Sequence, residues 1–174
     1  MLRLLLLRHA KATPFTGSGD HERALTEGGR ADAARLGAFV AGEKIAPQAA
    51  VHSGSRRTGE TLDIVLARLK CGASVSVEPR LYEASEAAFL SVLRHASDAA
   101  KTLLVVGHNP SLAAAACHLA GTGDRPALLK MAAKFPTSGL AIIDFEADHW
   151  REIDAGAGRL ARFVTPAGLR SRED

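Results

Sequence analysis

The sequence predicts a three-layer α/β/α sandwich with a mostly parallel central sheet and an antiparallel edge strand. Short apolar runs such as Leu4–Leu7 and Thr102–Val106 alternate along the chain with stretches whose apolar residues recur at helical spacing. Near the C-terminal end the alternation breaks. Two runs, Leu140–Phe145 and Arg151–Ile153, are joined only by a turn around Ala147-Asp148-His149, which predicts the antiparallel edge. Several of the earlier runs also stop abruptly in charged or imidazole side chains, and the carboxyl ends of strands are where open α/β sheets hold ligands.

In chain order, Leu4-Leu5-Leu6-Leu7 reads as a buried strand ending in Arg8-His9. Thr13 to His21, rich in Gly, Ser and Thr, predicts a loop at that functional end. Thr26 is placed to cap a helix whose apolar positions Ala31, Ala34, Leu36, Phe39 and Val40 carry it to about Ala41. Ala49–Val51 is a weaker strand candidate before His52-Ser53-Gly54-Ser55. Leu62, Val65, Leu66 and Leu69 then fall at i, i+3, i+4, i+7. Ser74–Val77 alternates like a short strand, and Phe89, Val92, Leu93 and Ala96 repeat the helical spacing. Thr102–Val106 is the clearest central strand, stopped by Gly107-His108-Asn109-Pro110. Asn109 is the expected N-cap, with Pro110 in the first helical position ahead of Leu112, Ala115, Ala116 and Leu119.

At 174 residues the chain fits one domain, 1–174, with the tail from about Thr165 expected to fray. Its 47% hydrophobic and 24% charged residues are those of a soluble globular protein. Arg8 and His9 interrupt the N-terminal leucines too early for an export signal, and no run approaches a membrane span. Cys71 and Cys117 make no metal or redox motif, so a reducing cytoplasm is the expected compartment. The formal charge of +3 favours anionic ligands mildly. The basic residues are dispersed, with no aromatic-interleaved stripe, so neither nucleic acid nor membrane is an expected partner.

Arg8-His9, the segment Ser53–Thr61 and Gly107-His108-Asn109 each follow a strand candidate. If those strands are parallel neighbours, all three meet in one crevice. Arg56 and Arg57 sit at a helix start, where free backbone N–H groups already favour an anion, and one of the two is expected to be an ordinary solvated residue. His108 alone reads as a hydrogen-bonded structural histidine; opposite His9 it reads as a ligand group. His9, His52 and His108 lack local metal-ligand spacing, so no metal and no other cofactor is expected.

These residues resemble the histidine phosphatase superfamily. The resemblance rests on Leu7-Arg8-His9, Leu25-Thr26 with Gly29, the Ser53-x-x-x-Arg57-x-x-x-Thr61 segment and Gly107-His108-Asn109-Pro110. Asp20-x-x-Arg23-Ala24-Leu25-Thr26, Leu81-Tyr82 with Ala84-Ser85, and Lys134-Phe135-Pro136-Thr137 extend it over residues 2 to about 168, most closely to the short bacterial phosphohistidine phosphatases of the SixA type. Two departures stand out: Gly54 where the family often has proline, and Glu60 where glutamine is usual. The register matches Arg57, not Arg56, to the family's catalytic arginine.

The resemblance implies that His9 is a nucleophile forming a transient phosphohistidine, with Arg8, Arg57 and His108 around the phosphate oxygens and no metal required. Its second nitrogen needs a hydrogen bond, which a backbone carbonyl would supply. The general acid stays open between Glu83, Asp20 and neither. The short chain implies an open site, hence a phosphorylated protein such as a histidine-containing phosphotransfer domain as substrate. A small phosphate ester is the alternative, and a non-catalytic phosphate-binding module a third reading.

Overall fold

The computed structural model describes residues 1–173. Seven strands form one mixed sheet in the order β3-β2-β4-β1-β6-β7-β5, with helices on both faces. The strands are β1 (Leu2–Arg8), β2 (Ala49–His52), β3 (Ser74–Val77), β4 (Thr102–Gly107), β5 (Ala120–Gly123), β6 (Leu140–Phe145) and β7 (Gly158–Val164). The helices are α1 (Glu27–Gly42), α2 (Arg56–Leu69), α3 (Glu86–Arg94), α4 (Ser111–Leu119), α5 (Arg125–Ala133) and α6 (Pro166–Arg170).

The leucine run of β1 explains the layering. Successive side chains of a strand point to opposite faces. Leu4 and Leu6 therefore join a core with Phe89, Leu112 and Trp150, while Leu5 and Leu7 join a second core with Leu36, Leu62 and Val65. All four are essentially inaccessible to water. Burial of each leucine stabilises the sheet by about 1.5–3 kcal/mol. β1 lies parallel to β4, with Arg8 opposite Gly107, and β4 lies parallel to β2, with His52 opposite Val106. The three motif-bearing strands are thus adjacent and end together.

The mostly parallel sheet is as predicted, but its antiparallel member, β6, lies inside, between β1 and β7. Arg151–Ile153 is not a strand. Trp150–Glu152 forms a short 3-10 helix, because Trp150 is fully buried and its indole donates to the Ala100 carbonyl at 2.8 Å. The return strand is β7. Asn109 is not the cap of α4: the helix starts at Ser111, and the Asn109 amide donates to the Phe135 carbonyl at 2.9 Å. From Thr165, where the sequence predicts fraying, the described chain forms α6, capped by Thr165 and anchored by buried Leu169.

Candidate active site

β1 delivers Arg8 and His9 to the carboxyl edge of the sheet. His9 is 8% exposed, and its Nδ1 lies 2.8 Å from the carbonyl of Ala10. A carbonyl can only accept, so Nδ1 carries the proton and Nε2 keeps its lone pair. Burial, with the nearby guanidinium groups of Arg57, Arg8 and Arg23, pushes His9 down to about 4 although the Ala10 bond opposes the shift, so the ring is neutral at neutral pH. Arg8 is fixed by donating to the Phe135 carbonyl at 3.0 Å, the same oxygen that Asn109 uses.

α2 delivers the second arginine. Ser55 caps the helix, its hydroxyl accepting from the Thr58 amide. The two arginines then diverge: Arg56 is exposed and pairs with Glu60 at 3.0 Å, whereas Arg57 is only 6% exposed. Arg57 donates through Nη1 to the Asp20 carbonyl at 2.8 Å and through Nη2 to the Asp20 carboxylate at 3.2 Å. Glu60 accepts from the Leu25 amide at 2.8 Å and pairs with Arg30 as well, so it ties the start of α1 to α2 away from the pocket. At Gly54 the backbone takes φ +87°, which proline cannot adopt, and this accounts for the other departure. Gly29 is required by closeness: a Cβ there would lie 2.2 Å from the Lys11 carbonyl oxygen.

β4 delivers His108, whose ring centroid lies 5.2 Å from that of His9. Its Nε2 is 2.7 Å from Ser53 Oγ, and its Nδ1 faces Arg57 Nη2 at 3.4 Å. Burial, then the neighbouring His9 and Arg57, push His108 down to about 3. Arg8, His9, Arg57 and His108 line one cavity of about 690 Å³ with Asp20, Arg23, Tyr82 and Glu83. Arg8 Nε and Arg57 Nε are buried without a partner in the protein. Arg8 and Arg57 line the cavity, and such forked donors suit an oxyanion.

The two candidate acids differ. Asp20 accepts from the Tyr82 hydroxyl, from Arg23 at 2.9 Å and from Arg57 at 3.2 Å. The Tyr82 bond foremost, then Arg23 and Arg57, hold its carboxyl far below the usual carboxylate range. Asp20 is therefore ionised at neutral pH, and it holds Arg57 through both its carbonyl and its carboxylate. Glu83 stands exposed on the rim with φ +53°, a conformation uncommon outside glycine. Tyr82 is the residue that sequence reasoning left without a role: its ring stands edge-on to His108 at 5.4 Å and beneath Arg57 at 5.8 Å. Its being the chain's single tyrosine, in a motif already noted, was the available signal. His52 does not join His9 and His108, and among the described residues no group of three His, Cys, Asp or Glu is placed to hold a metal ion. No helix among them is long and apolar enough to cross a membrane.

A family model described as "Histidine phosphatase superfamily (branch 1)" matches residues 4–89, the stretch holding Arg8, His9, Asp20, Arg57 and Tyr82. The chain is 32% identical over 162 residues to an uncharacterized protein of Mycobacterium tuberculosis, spanning 92% of this chain and 99% of that one. The chain belongs to the histidine phosphatase superfamily. Among solved structures it is similar to a chain from Agrobacterium tumefaciens named as a candidate phosphohistidine phosphatase SixA. That match has 28% identity and a TM-score of 0.79, and covers 95% of this chain and 98% of that one. A second, from Nakamurella multipartitia and named likewise, has 26% identity and a TM-score of 0.79 over 95% and 96% of the two chains. This histidine phosphatase is thus of the SixA structural type, and its general activity is that of a phosphatase.

Proposed function

We propose that the protein removes phosphate from phosphohistidine on another protein, without a metal, through a phosphohistidine intermediate on His9. The observation that carries this reading is the neutral imidazole of His9, its Nδ1–H held by the Ala10 carbonyl, in one cavity with the guanidinium groups of Arg8 and Arg57. His9 Nε2 attacks phosphorus in line, and the P–N or P–O bond to the leaving group breaks. Arg8 and Arg57 surround the equatorial oxygens and neutralise their charge, with His108 beside them in the same pocket, so catalysis comes from positioning and preorganised electrostatics. Water then hydrolyses phospho-His9.

The substrate assignment follows from the missing acid. Asp20 is locked in its ionised form, and Glu83 stands in solvent at the rim. A phosphoramidate nitrogen is easily protonated as it leaves, so it needs no strong buried acid. The open mouth of the cavity also suits a phosphorylated side chain on a protein, such as a histidine-containing phosphotransfer domain. The second reading, a phosphatase for a small phosphate monoester, rests on Glu83 lining the same cavity with a strained backbone.

The test is release of phosphate from a phosphorylated histidine-containing phosphotransfer domain in EDTA, beside a panel of sugar phosphates and nucleotides. The expected result is turnover of the phosphoprotein in EDTA and loss of at least ~10³-fold in His9→Ala, the scale of removing a nucleophile. Turnover confined to a monoester, and slowed in Glu83→Gln, would replace the first reading by the second. Full activity in His9→Ala would remove both.

A further inference from the structure

Behind His108, away from the cavity, a row of side chains leads to an imidazole that the mechanism does not use. His108 Nε2 lies 2.7 Å from Ser53 Oγ, Ser53 Oγ lies 3.0 Å from Thr58 Oγ1, and Thr58 Oγ1 lies 3.3 Å from His52 Nδ1. Ser53 is 1% exposed and Thr58 wholly buried, whereas His52 is only partly covered. The row therefore runs from the pocket, through two hydroxyls shielded from water, to the edge of the molecule. The His52 ring rests on Gly59, where a Cβ would come to 3.4 Å of it.

Both ends assign the same direction to the protons. The Gly54 amide donates to His52 Nδ1 at 3.2 Å, so that nitrogen bears a lone pair. Arg57 Nη2 faces His108 Nδ1 at 3.4 Å and can only donate, so the His108 proton is on Nε2. The bonds then run His108 Nε2–H to Ser53, Ser53 to Thr58, and Thr58 to His52 Nδ1. The Thr58 hydroxyl also reaches the Ser55 carbonyl and the Ser55 hydroxyl, each at 2.9 Å, and the Ser53 hydroxyl also reaches Ser55 Oγ at 3.2 Å, so each hydroxyl proton of the row has a competing acceptor on Ser55 and turns between it and the next member of the path.

We propose that Ser53, Thr58 and His52 form a proton path that drains the pocket through His108, with His52 a positioning and relay residue rather than a catalytic one. The inference rests on the hydrolytic reading above. When water attacks phospho-His9, the new O–P bond forms and the P–Nε2 bond breaks, its electron pair returning to His9. The water proton goes to His108 Nδ1. His108 passes its Nε2 proton to Ser53, Ser53 passes its own to Thr58, Thr58 passes its own to His52 Nδ1, and His52 releases its Nε2 proton to solvent. The path resets in reverse: His52 takes a proton from solvent, and His108 Nδ1 gives one to the departing phosphate. A buried imidazole hemmed in by His9, Arg57 and Arg8 holds a second proton poorly, although the Asp20 carboxylate acts on it favourably. His52 has Asp63 to favour its charged form and stands nearer to water.

The experiment has two arms. In the first, nitrogen NMR of histidine-labelled protein reads the tautomers of His52 and His108 near neutral pH. The Nε2–H form is expected at both, and an Nδ1–H form at either overturns the path whatever the enzyme's substrate. In the second, phosphoramidate is the phosphoryl donor, and formation and decay of phospho-His9 are timed separately in folded Thr58→Val, Thr58→Ser and His52→Phe, each checked by circular dichroism. Decay is expected to slow about tenfold in Thr58→Val and His52→Phe, part of the ~10²–10⁴-fold that a positioned proton acceptor supplies. Formation should hold its rate, and Thr58→Ser should restore decay. A purely structural role would slow both steps together or lower the Tm alone. Decay at the normal rate in both Thr58→Val and His52→Phe overturns the proposal. Failure of the unaltered enzyme to form phospho-His9 overturns the hydrolytic reading instead, and the tautomers then decide the path by themselves.

Discussion

The cavity has an inner wall and a rim, and they are built in different ways. The inner wall comes from strand ends and a helix start: His9, Arg57 and His108 are 8%, 6% and 7% exposed, the His9 ring held by the neighbouring Ala10 carbonyl and the other two by polar contacts to distant parts of the fold. The rim comes from connecting segments: Asp20 from the loop after β1, Tyr82 and Glu83 from the segment between β3 and α3. Groups on the inner wall are desolvated, so their charges and lone pairs act at full strength on a bound oxyanion. Groups on the rim meet water and are free to vary with the leaving group. On the proposed reading, phosphate handling belongs to the wall, and substrate choice belongs to the rim. Asp20 bridges the two, since its carbonyl and carboxylate both hold Arg57 from outside.

That division can be broken from either side. The largest effect belongs to the wall. Arg57→Ala should lower kcat by about 10²–10³-fold, the scale of losing one preorganised donor to a transition-state oxyanion. Arg57→Lys should recover little of it, because an ammonium cannot hold the Asp20 carbonyl, its carboxylate and a phosphate oxygen with one planar fork. Steady-state kinetics would check both, and a near-normal kcat in Arg57→Ala would assign phosphate binding to the rim instead.

A second measurement uses pH. His9 and His108 sit at about 4 and about 3 in the folded protein, below the ordinary imidazole value near 6.5. Between these limits the unfolded chain binds protons that the folded one refuses, so stability falls as pH falls. The Tm should therefore decline from about pH 6.5 down to about pH 3, the His9 contribution being exhausted near pH 4 and that of His108 near pH 3. The neutral form of His9 should persist through the upper part of that window, with an NMR titration midpoint of about 4. A midpoint near the ordinary imidazole value would mean that the inner wall is not desolvated.

The smallest effect belongs to the rim. Glu83→Gln should change turnover of a phosphohistidine protein by less than about threefold, since a nitrogen leaving group makes little demand on an acid. A drop of about 10²-fold, the lower bound for a positioned general acid, would move Glu83 into the catalytic group and favour the monoester reading.

The sequence made the inner wall legible because each of its members sits beside a strong local signal. Leu4–Leu7 and Thr102–Val106 are unmistakable buried strands, and a strand's carboxyl end is fixed in space once the strand is. The rim was less legible. Glu83 and Asp20 were both plausible acids in one dimension, and nothing local records that Tyr82, 62 residues away, donates to Asp20. The late part of the chain misled for a similar reason. Arg151–Ile153 looks like a strand, but a tryptophan seeking burial beside Ala100 wins over local propensity. β5 is mostly exposed and glycine-containing, so it carries no apolar alternation to read.

By itself, then, the sequence determined the alternation of strands and helices, the two-sided burial of β1, and which residues stand at the strand ends. Those features depend on side-chain periodicity, which is local. Only the tertiary structure decided that β2, β4 and β1 are neighbours, that the antiparallel strand lies inside the sheet, and that Tyr82, Arg23 and Arg57 converge on the carboxylate of Asp20. Each of those depends on contacts between residues far apart in the chain, where packing and hydrogen-bond partners are chosen by the fold as a whole.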